Sequence, residues 1–116
     1  MRTRLRASVL LALALIASGS AAQTKGLPDL KGRGIRVVTE GRYPPLSFLD
    51  PSSGKPAGLD CDLLTEIARR LNARVTWSKT TWTDLLKSVH EGRYDIAANG
   101  ITITADRKEQ VDFSDP

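Results

Sequence analysis

Between residues 34 and 116, the apolar positions follow strand-like and helix-like periods in turn. Residues 35–39 (IRVVT) are mostly β-branched and apolar, and residues 74–78 (RVTWS) alternate, so both are predicted strands. Between them, apolar residues recur at the helical period after Gly58, and Asp60 or Asp62 is a candidate N-cap. The helix face that this period predicts to be buried consists of Leu63, Leu64, Ile67, Ala68 and Leu71.

A second helix and a third strand complete the pattern. Residues 82–91 predict an amphipathic helix that buries Leu85, Leu86 and Val89 and stops at Gly92, and residues 94–98 (YDIAA) predict a short strand. The order β-α-β-α-β is typical of an α/β fold with a parallel sheet and flanking helices. Ligands bind beyond the carboxyl ends of such strands. We therefore expect a binding site where three stretches meet at one sheet edge: residues 40–43, 78–82 and 99–102.

Residues 99–116 (NGITITADRKEQVDFSDP) place hydroxyls, helix-start amides and one guanidinium beside that edge. Thr104 is predicted to cap a short helix, residues 106–110, that carries Arg107, and Thr102 is the better candidate for a ligand contact. A planar guanidinium and partly positive N–H groups suit a small carboxylate. Arg107 could instead be a solvated charge in a run of alternating signs, but the binding role is favoured.

The N-terminus changes the meaning of the composition. Residues 1–22 combine three arginines, an apolar run at 7–17 and small residues at 20–22, which is the pattern of a secretory signal peptide. A retained anchor is the alternative, although the run is shorter than the roughly 20 residues of a membrane span. Without this segment the net charge falls from +4 to +1, because 14 basic residues then face 13 acidic ones. The basicity therefore gives no reason to expect nucleic acid as a partner.

The remaining residues are predicted to form a leader segment, residues 23–33, and one folded unit, residues 34–116. Cys61 is a single cysteine far from the end of the signal, so neither an internal disulfide nor a lipid attachment is expected. With one cysteine and one histidine, His90, the sequence predicts no metal site and no cofactor. Asp60 and Asp62 resemble a catalytic carboxylate pair, but helix capping explains them more simply.

Four motifs, in this order, carry a family resemblance: EGRYPPLSF (40–48), GLDCDLLTEIARRL (58–71), WTDLLKSVHEGRYDIAANG (82–100) and ITITADRKEQVDFSDP (101–116). Together they resemble the family 3 bacterial extracellular solute-binding proteins, the periplasmic components of amino-acid ABC importers. The resemblance implies an incomplete lobe of the type II periplasmic-binding-protein fold. In the family, the chain continues into a second lobe and a return segment that residues 34–116 do not include.

The resemblance implies ligand-binding roles for eight residues. Tyr43 would line the ligand cleft, Trp82 would pack on the ligand, and Arg107 would pair with its α-carboxylate. Backbone and hydroxyl groups of four consecutive residues would bind the same carboxylate: Asn99, Gly100, Ile101 and Thr102. Glu40 occupies a position whose acid can face a cationic head group. Leu46 departs from the family, where phenylalanine is common, and this loosens one wall of the cleft.

The expected function is a non-enzymatic one. A monomeric periplasmic protein would deliver an amino acid or a similar polar solute to an ABC permease in the inner membrane. In the family, two lobes close around the ligand, which one lobe alone does not do. Two alternatives stay open: a secreted cyclohexadienyl or arogenate dehydratase-like enzyme on the same scaffold, and the sensor module of a membrane receptor.

Overall fold

The computed structural model describes residues 26–116. The predicted signal peptide lies outside the described residues, as does the start of the predicted leader. The strands are β1 (Arg33–Thr39), β2 (Arg42–Tyr43), β3 (Ser47–Leu49), β4 (Pro56–Ala57), β5 (Ala73–Lys79) and β6 (Ile96–Ala97). The helices are α1 (Leu59–Arg70), α2 (Leu85–His90) and α3 (Ala105–Lys108), and a 3₁₀ turn (Trp82–Asp84) precedes α2.

A parallel sheet of three strands, in the order β5-β1-β6, forms the centre of the fold. Helix α1 connects β1 to β5 and helix α2 connects β5 to β6, which confirms the predicted α/β order. Val37 and Val38 in β1 are fully buried, because β1 is the central strand. Ala68 of α1 and Leu85 of α2 are buried with them. The core is therefore small and centred on β1.

An ion pair joins the middle of β1 to the residue that precedes β6. Arg36 donates through Nε and Nη2 to the two carboxylate oxygens of Asp95, at 3.2 and 2.9 Å, and its backbone N–H donates to the same carboxylate at 2.8 Å. Asp95 returns a backbone hydrogen bond to the carbonyl of Arg36 at 2.9 Å. This hydrogen bonding by Arg36 lowers the pKa of Asp95 to about 2. The pair fixes β6 against β1 although β6 contributes only two residues.

A second sheet, antiparallel and in the order β2-β3-β4, was not predicted. Its strands have two or three residues each, which is too short for a period to be read. Arg42 pairs with Phe48, and Phe48 pairs with Ala57. The turn between β3 and β4 is organised as its composition suggests, because the carboxylate of Asp50 accepts from the N–H groups of Ser52 and Ser53.

Helix α1 begins differently from the prediction. Its first N–H group donates to the carbonyl of Pro45 at 3.1 Å, and the N–H of Asp60 donates to the carbonyl of Leu46 at 2.9 Å. Gly58 has a φ of +108°, and a Cβ at this position would lie 2.5 Å from the carbonyl oxygen of Leu46. The prediction that Asp60 or Asp62 caps the helix is wrong, since no side chain caps it. Backbone carbonyls satisfy the first amides, and they come close enough because Gly58 has no side chain.

One face of α1 is only partly covered. Ala68 is buried as predicted, but Leu63 and Ile67 are 54% and 40% exposed, so the prediction of burial is wrong for these two. Both line an apolar cavity of about 420 Å³ that also includes Leu86 and Phe113. The helical period identifies the apolar stripe, whereas burial depends on which groups pack against it.

The remaining elements are shorter than predicted. The predicted helix 82–91 consists of a 3₁₀ turn followed by α2, in which Leu85 is buried and Leu86 and Val89 are partly buried. The third strand is limited to Ile96–Ala97, and α3 covers four residues rather than residues 106–110. Among residues 26–116, no helix has the length and apolar character needed to cross a membrane.

Candidate functional site

The carboxyl ends of the three parallel strands lie at one edge of the central sheet. Thr39 at the end of β1 is in register with Lys79 at the end of β5, and Val38 is in register with Ala97 of β6. Beyond β5, the N–H of Thr80 donates to the carbonyl of Thr39 at 2.9 Å. The loops that begin here contain the predicted site residues, so the edge expected from the parallel order is present.

Asn99 anchors the segment that leaves β6. Its side chain is 2% exposed, and its carbonyl oxygen accepts from the Thr39 hydroxyl at 2.8 Å and from the Glu40 N–H at 3.2 Å. The Thr39 hydroxyl also bonds to the hydroxyl of Ser47 at 2.6 Å, which ties the second sheet to the first. The side chain of Asn99 thus holds the end of β1 in place. The Glu40 side chain is partly exposed at the same edge.

Gly100 makes a tight turn beneath Tyr43. Its φ is +58°, and a Cβ there would lie 2.5 Å from Cδ1 of Leu46 and 2.9 Å from Cε1 of Tyr43. The N–H of Gly100 donates to the carboxylate of Asp60 at 2.8 Å. The Tyr43 ring is therefore in contact with the loop that follows β6, while half of its surface, 50%, remains exposed.

Arg107 lies across the ring of Trp82. Its guanidinium carbon is 5.4 Å from the ring centroid, which is a cation–π distance. Nη1 of Arg107 also donates to the carbonyl of Thr102 at 2.8 Å. Thr104 caps α3 as predicted, because its hydroxyl accepts from the N–H of Arg107 at 3.3 Å. Three contacts thus hold the position of Arg107: a ring, a carbonyl and a helix cap.

An open cavity of about 260 Å³ lies next to this arrangement. Trp82, Leu86, Ile101 and Arg107 are among the residues that line it. Within residues 26–116, no group accepts a hydrogen bond from the N–H of Ile101 or of Thr102. A guanidinium and two available amides therefore lie on one short segment, and these are the donors that a carboxylate pairs with.

The structure groups the predicted site residues into two neighbouring clusters. Trp82, Ile101, Thr102 and Arg107 surround the cavity or hold the guanidinium. Glu40, Tyr43, Asn99 and Gly100 lie around the end of β1 and are connected through hydrogen bonds and the Tyr43 contact. Asp60 contacts this second cluster through the N–H of Gly100, and the sequence analysis did not include it among the site residues. No local signal identifies it, because an aspartate near a helix start is usually a cap.

Cys61 and His90 have side chains of reactive types, and each makes a hydrogen bond to a backbone carbonyl of another element or loop. The Cys61 thiol donates to the carbonyl of Pro56 at 3.4 Å, and burial raises its pKa, which makes the thiol less reactive. His90 bonds through Nδ1 to the carbonyl of Gln110 at 2.8 Å and so joins α2 to the end of α3. In the described part of the chain, no three His, Cys, Asp or Glu side chains are arranged to hold a metal ion.

The sequence also matches a family model, that of the bacterial extracellular solute-binding proteins, family 3, over residues 35–116. The chain belongs to this family. It is 36% identical over 106 residues to a probable histidine-binding protein of Neisseria gonorrhoeae, covering 90% of this chain and 39% of that protein. It is 38% identical over 106 residues to the cyclohexadienyl dehydratase of Pseudomonas aeruginosa, again covering 90% of this chain and 39% of the other.

A solved structure supports the same membership. The arginine-bound form of domain 1 from TmArgBP is 37% identical, with a TM-score of 0.67, and the match covers 72% of this chain and 65% of that domain. The fold is thus part of a type II periplasmic-binding-protein domain, as the sequence motifs implied. This family 3 chain spans about two fifths of the length of the curated relatives described above.

Proposed function

We propose that this family 3 chain is part of the periplasmic substrate-binding component of an ABC importer. It binds an amino acid or a similar small polar solute through the ligand's carboxylate. The observation that carries the proposal is that the guanidinium of Arg107 lies over Trp82, donates to the carbonyl of Thr102, and lines a cavity together with Ile101.

Arg107 keeps donors available for a ligand. A guanidinium has five N–H groups, and among the described residues Thr102 is the one acceptor that Arg107 uses. The contact with Trp82 restricts the side chain, so less conformational freedom is lost when a carboxylate binds. A bidentate pair between guanidinium and carboxylate is directional and charge-assisted. The geometry therefore favours a ligand with a planar carboxylate over one with a neutral end.

The other predicted residues fit the rest of an amino acid. Glu40 is an acid at the end of β1, and Tyr43 presents an exposed aromatic face nearby. An acid and an aromatic ring together suit a positively charged head group. Relatives named as histidine-binding, and a structure named as arginine-bound, are consistent with that ligand class. We propose a cationic amino acid as the first ligand to test.

The direct experiment is calorimetric titration of the intact protein with L-arginine, L-histidine and L-cystine. We expect one of them to bind, and Arg107→Ala to weaken that binding by roughly 10- to 150-fold, since a lost charge-assisted hydrogen bond costs about 1.5–3 kcal/mol. Arg107→Lys keeps the charge but not the bidentate fork and should recover only part of the loss. Lys108→Ala removes an exposed charge from the same helix and is the matched control. Unchanged affinity in Arg107→Ala would refute the role of this residue.

A second candidate function is dehydration of a cyclohexadienyl acid. The identity of 38% to the cyclohexadienyl dehydratase favours it, and the substrates of such enzymes also carry carboxylates. Incubating the intact protein with prephenate or arogenate and following aromatic product distinguishes the two. Turnover would replace the transport proposal, whereas amino-acid binding without turnover supports it.

Export, cellular location and assembly belong to the same proposal. Family members are extracellular solute-binding proteins, and residues 1–22 have the pattern of a signal peptide. We propose cleavage after Ala22, residence in the periplasm as a monomer, and delivery of ligand to an inner-membrane permease. Mass spectrometry of the protein recovered from the periplasm would identify the mature N-terminus.

A further inference from the structure

The feature that carries a further inference is the hydrogen bond between Asp60 and Gly100. Asp60 lies in the first turn of α1, and Gly100 lies 40 residues later in the loop that follows β6. The carboxylate accepts from the Gly100 N–H at 2.8 Å and is partly buried. This is a contact between two separate elements, so it fixes the loop relative to the helix.

Asp60 is not needed at the start of its own helix. The first two amides of α1 already donate to the carbonyls of Pro45 and Leu46. Among residues 26–116, Asp60 takes part in no ion pair, so no cation explains its position either. The hydrogen bond to Gly100 is the interaction that the side chain makes.

Gly100 directly precedes Ile101 and Thr102, whose N–H groups have no acceptor among residues 26–116. Its φ of +58° places it in the left-handed region, where the chain turns sharply before Ile101 and Thr102. The bond holds the peptide plane that precedes Gly100, and the plane that carries the Ile101 N–H is separated from it only by the two dihedrals of Gly100. The carboxylate of Asp60 thus fixes the backbone position from which the segment with the Ile101 and Thr102 amides starts.

We propose that Asp60 is a positioning residue of the carboxylate site. It acts through Gly100 to hold the amides of Ile101 and Thr102 where a ligand carboxylate binds beside Arg107. This inference rests on the proposed function. It adds a residue on α1 to a site that otherwise consists of strand-end loops and α3.

Two substitutions separate the hydrogen bond from the charge. Asp60→Asn has the same shape and retains an oxygen that accepts from the Gly100 N–H, whereas Asp60→Ala has no acceptor. Asp62→Ala is the matched control, because Asp62 is an exposed acid in the same first turn and makes no hydrogen bond to the loop. All three are compared with the wild-type intact protein by calorimetry with L-arginine and L-histidine.

We expect Asp60→Ala to weaken binding at least tenfold, Asp60→Asn to stay within threefold of wild type, and Asp62→Ala to stay within twofold. The amide resonance of Gly100 in a ¹H–¹⁵N spectrum gives a second readout that general destabilisation does not move. It should shift in Asp60→Ala and remain near its wild-type position in Asp60→Asn.

The possible failures are distinguishable. If wild type binds the amino acids and Asp60→Ala binds them equally well, the positioning role is refuted and the proposed function stands. If Asp60→Asn loses as much affinity as Asp60→Ala, the charge matters rather than the hydrogen bond, which also overturns the inference. If wild type binds neither amino acid while its Gly100 resonance shows the hydrogen bond, the proposed function fails for these ligands and the positioning role fails with it.

Discussion

Replacing Gly58 by alanine tests how the start of α1 is built. Gly58 has a φ of +108°, and a Cβ there would lie 2.5 Å from the carbonyl oxygen of Leu46 and 2.7 Å from that of Pro45. Those two oxygens accept the first two hydrogen bonds of the helix. The substitution therefore forces a shift in the groups that cap α1.

The expected loss of stability has two parts. Gly58 has φ +108° and ψ 177°, a backbone region that is almost restricted to glycine, and strain of this kind costs about 1–3 kcal/mol. Displacing the two carbonyls weakens two hydrogen bonds, each with a net contribution of about 0.5–1.5 kcal/mol. The reduced entropy of the unfolded chain offsets about 0.4–1 kcal/mol of this. At the middle of these ranges, we expect Gly58→Ala to lower the free energy of unfolding by about 3 kcal/mol.

Gly54→Ala is the control for a side chain placed at a positive φ without a close contact. Gly54 also has a positive φ, +67°, but a Cβ there would meet nothing within 4 Å. The free energy of unfolding of both variants is measured by urea titration followed by tryptophan fluorescence. The two tryptophans are Trp77 in β5 and Trp82 in the 3₁₀ turn that follows it. Gly54→Ala should lose about 1 kcal/mol or less. Equal losses in the two variants would refute the account of how α1 is capped.

Three other predictions concern the ion pair and the site. Because Arg36 lowers the pKa of Asp95 to about 2 from an ordinary value near 3.9, the pair stabilises the fold above about pH 4 and this contribution is lost as the pH falls toward 2. Both side chains are partly exposed, so the pair is expected to contribute about 1 kcal/mol to the free energy of unfolding. In urea titrations between pH 5 and 2, this free energy should depend less on pH in Asp95→Asn than in the wild type. Trp82→Leu removes the ring beneath Arg107 and should weaken ligand binding about threefold to tenfold by calorimetry, with Trp82→Phe intermediate and an unchanged affinity counting against the contact. Gly100→Ala would place a Cβ within 3 Å of two side chains. We expect the loss in binding free energy, measured by calorimetry, to exceed the loss in the free energy of unfolding, measured by urea titration. A larger loss in the free energy of unfolding would contradict this.

Part of this architecture could be predicted because it follows from the hydrophobic period of each element and from the order of the elements along the chain. Alternating strands and helices predict a parallel sheet, and a parallel sheet brings strand ends together whatever the details. The cap at Thr104 was also predictable, because it depends on a threonine three residues before the donor. The place of Arg107 in α3 follows from the same local helix, whereas its contact with Trp82 does not.

What could not be predicted depends on contacts between distant residues. Asp60 looked like a cap, and its real partner, Gly100, is 40 residues away. The second sheet consists of strands too short to show a period. Leu63 and Ile67 lie on an apolar stripe of α1, but a periodic pattern does not specify what covers it.

Recognition of a ligand carboxylate by Arg107 can be measured with pairs of ligands that differ in the carboxylate alone. The intact protein and its Arg107→Ala variant are titrated with L-arginine and with agmatine, which lacks only the carboxylate, and L-histidine and histamine serve as a second pair. We predict that wild type prefers the amino acid by about 100-fold and that the preference falls below about tenfold in the variant, because the paired guanidinium is absent. Equal affinity of wild type for both members of each pair, or an undiminished preference in Arg107→Ala, would contradict the account.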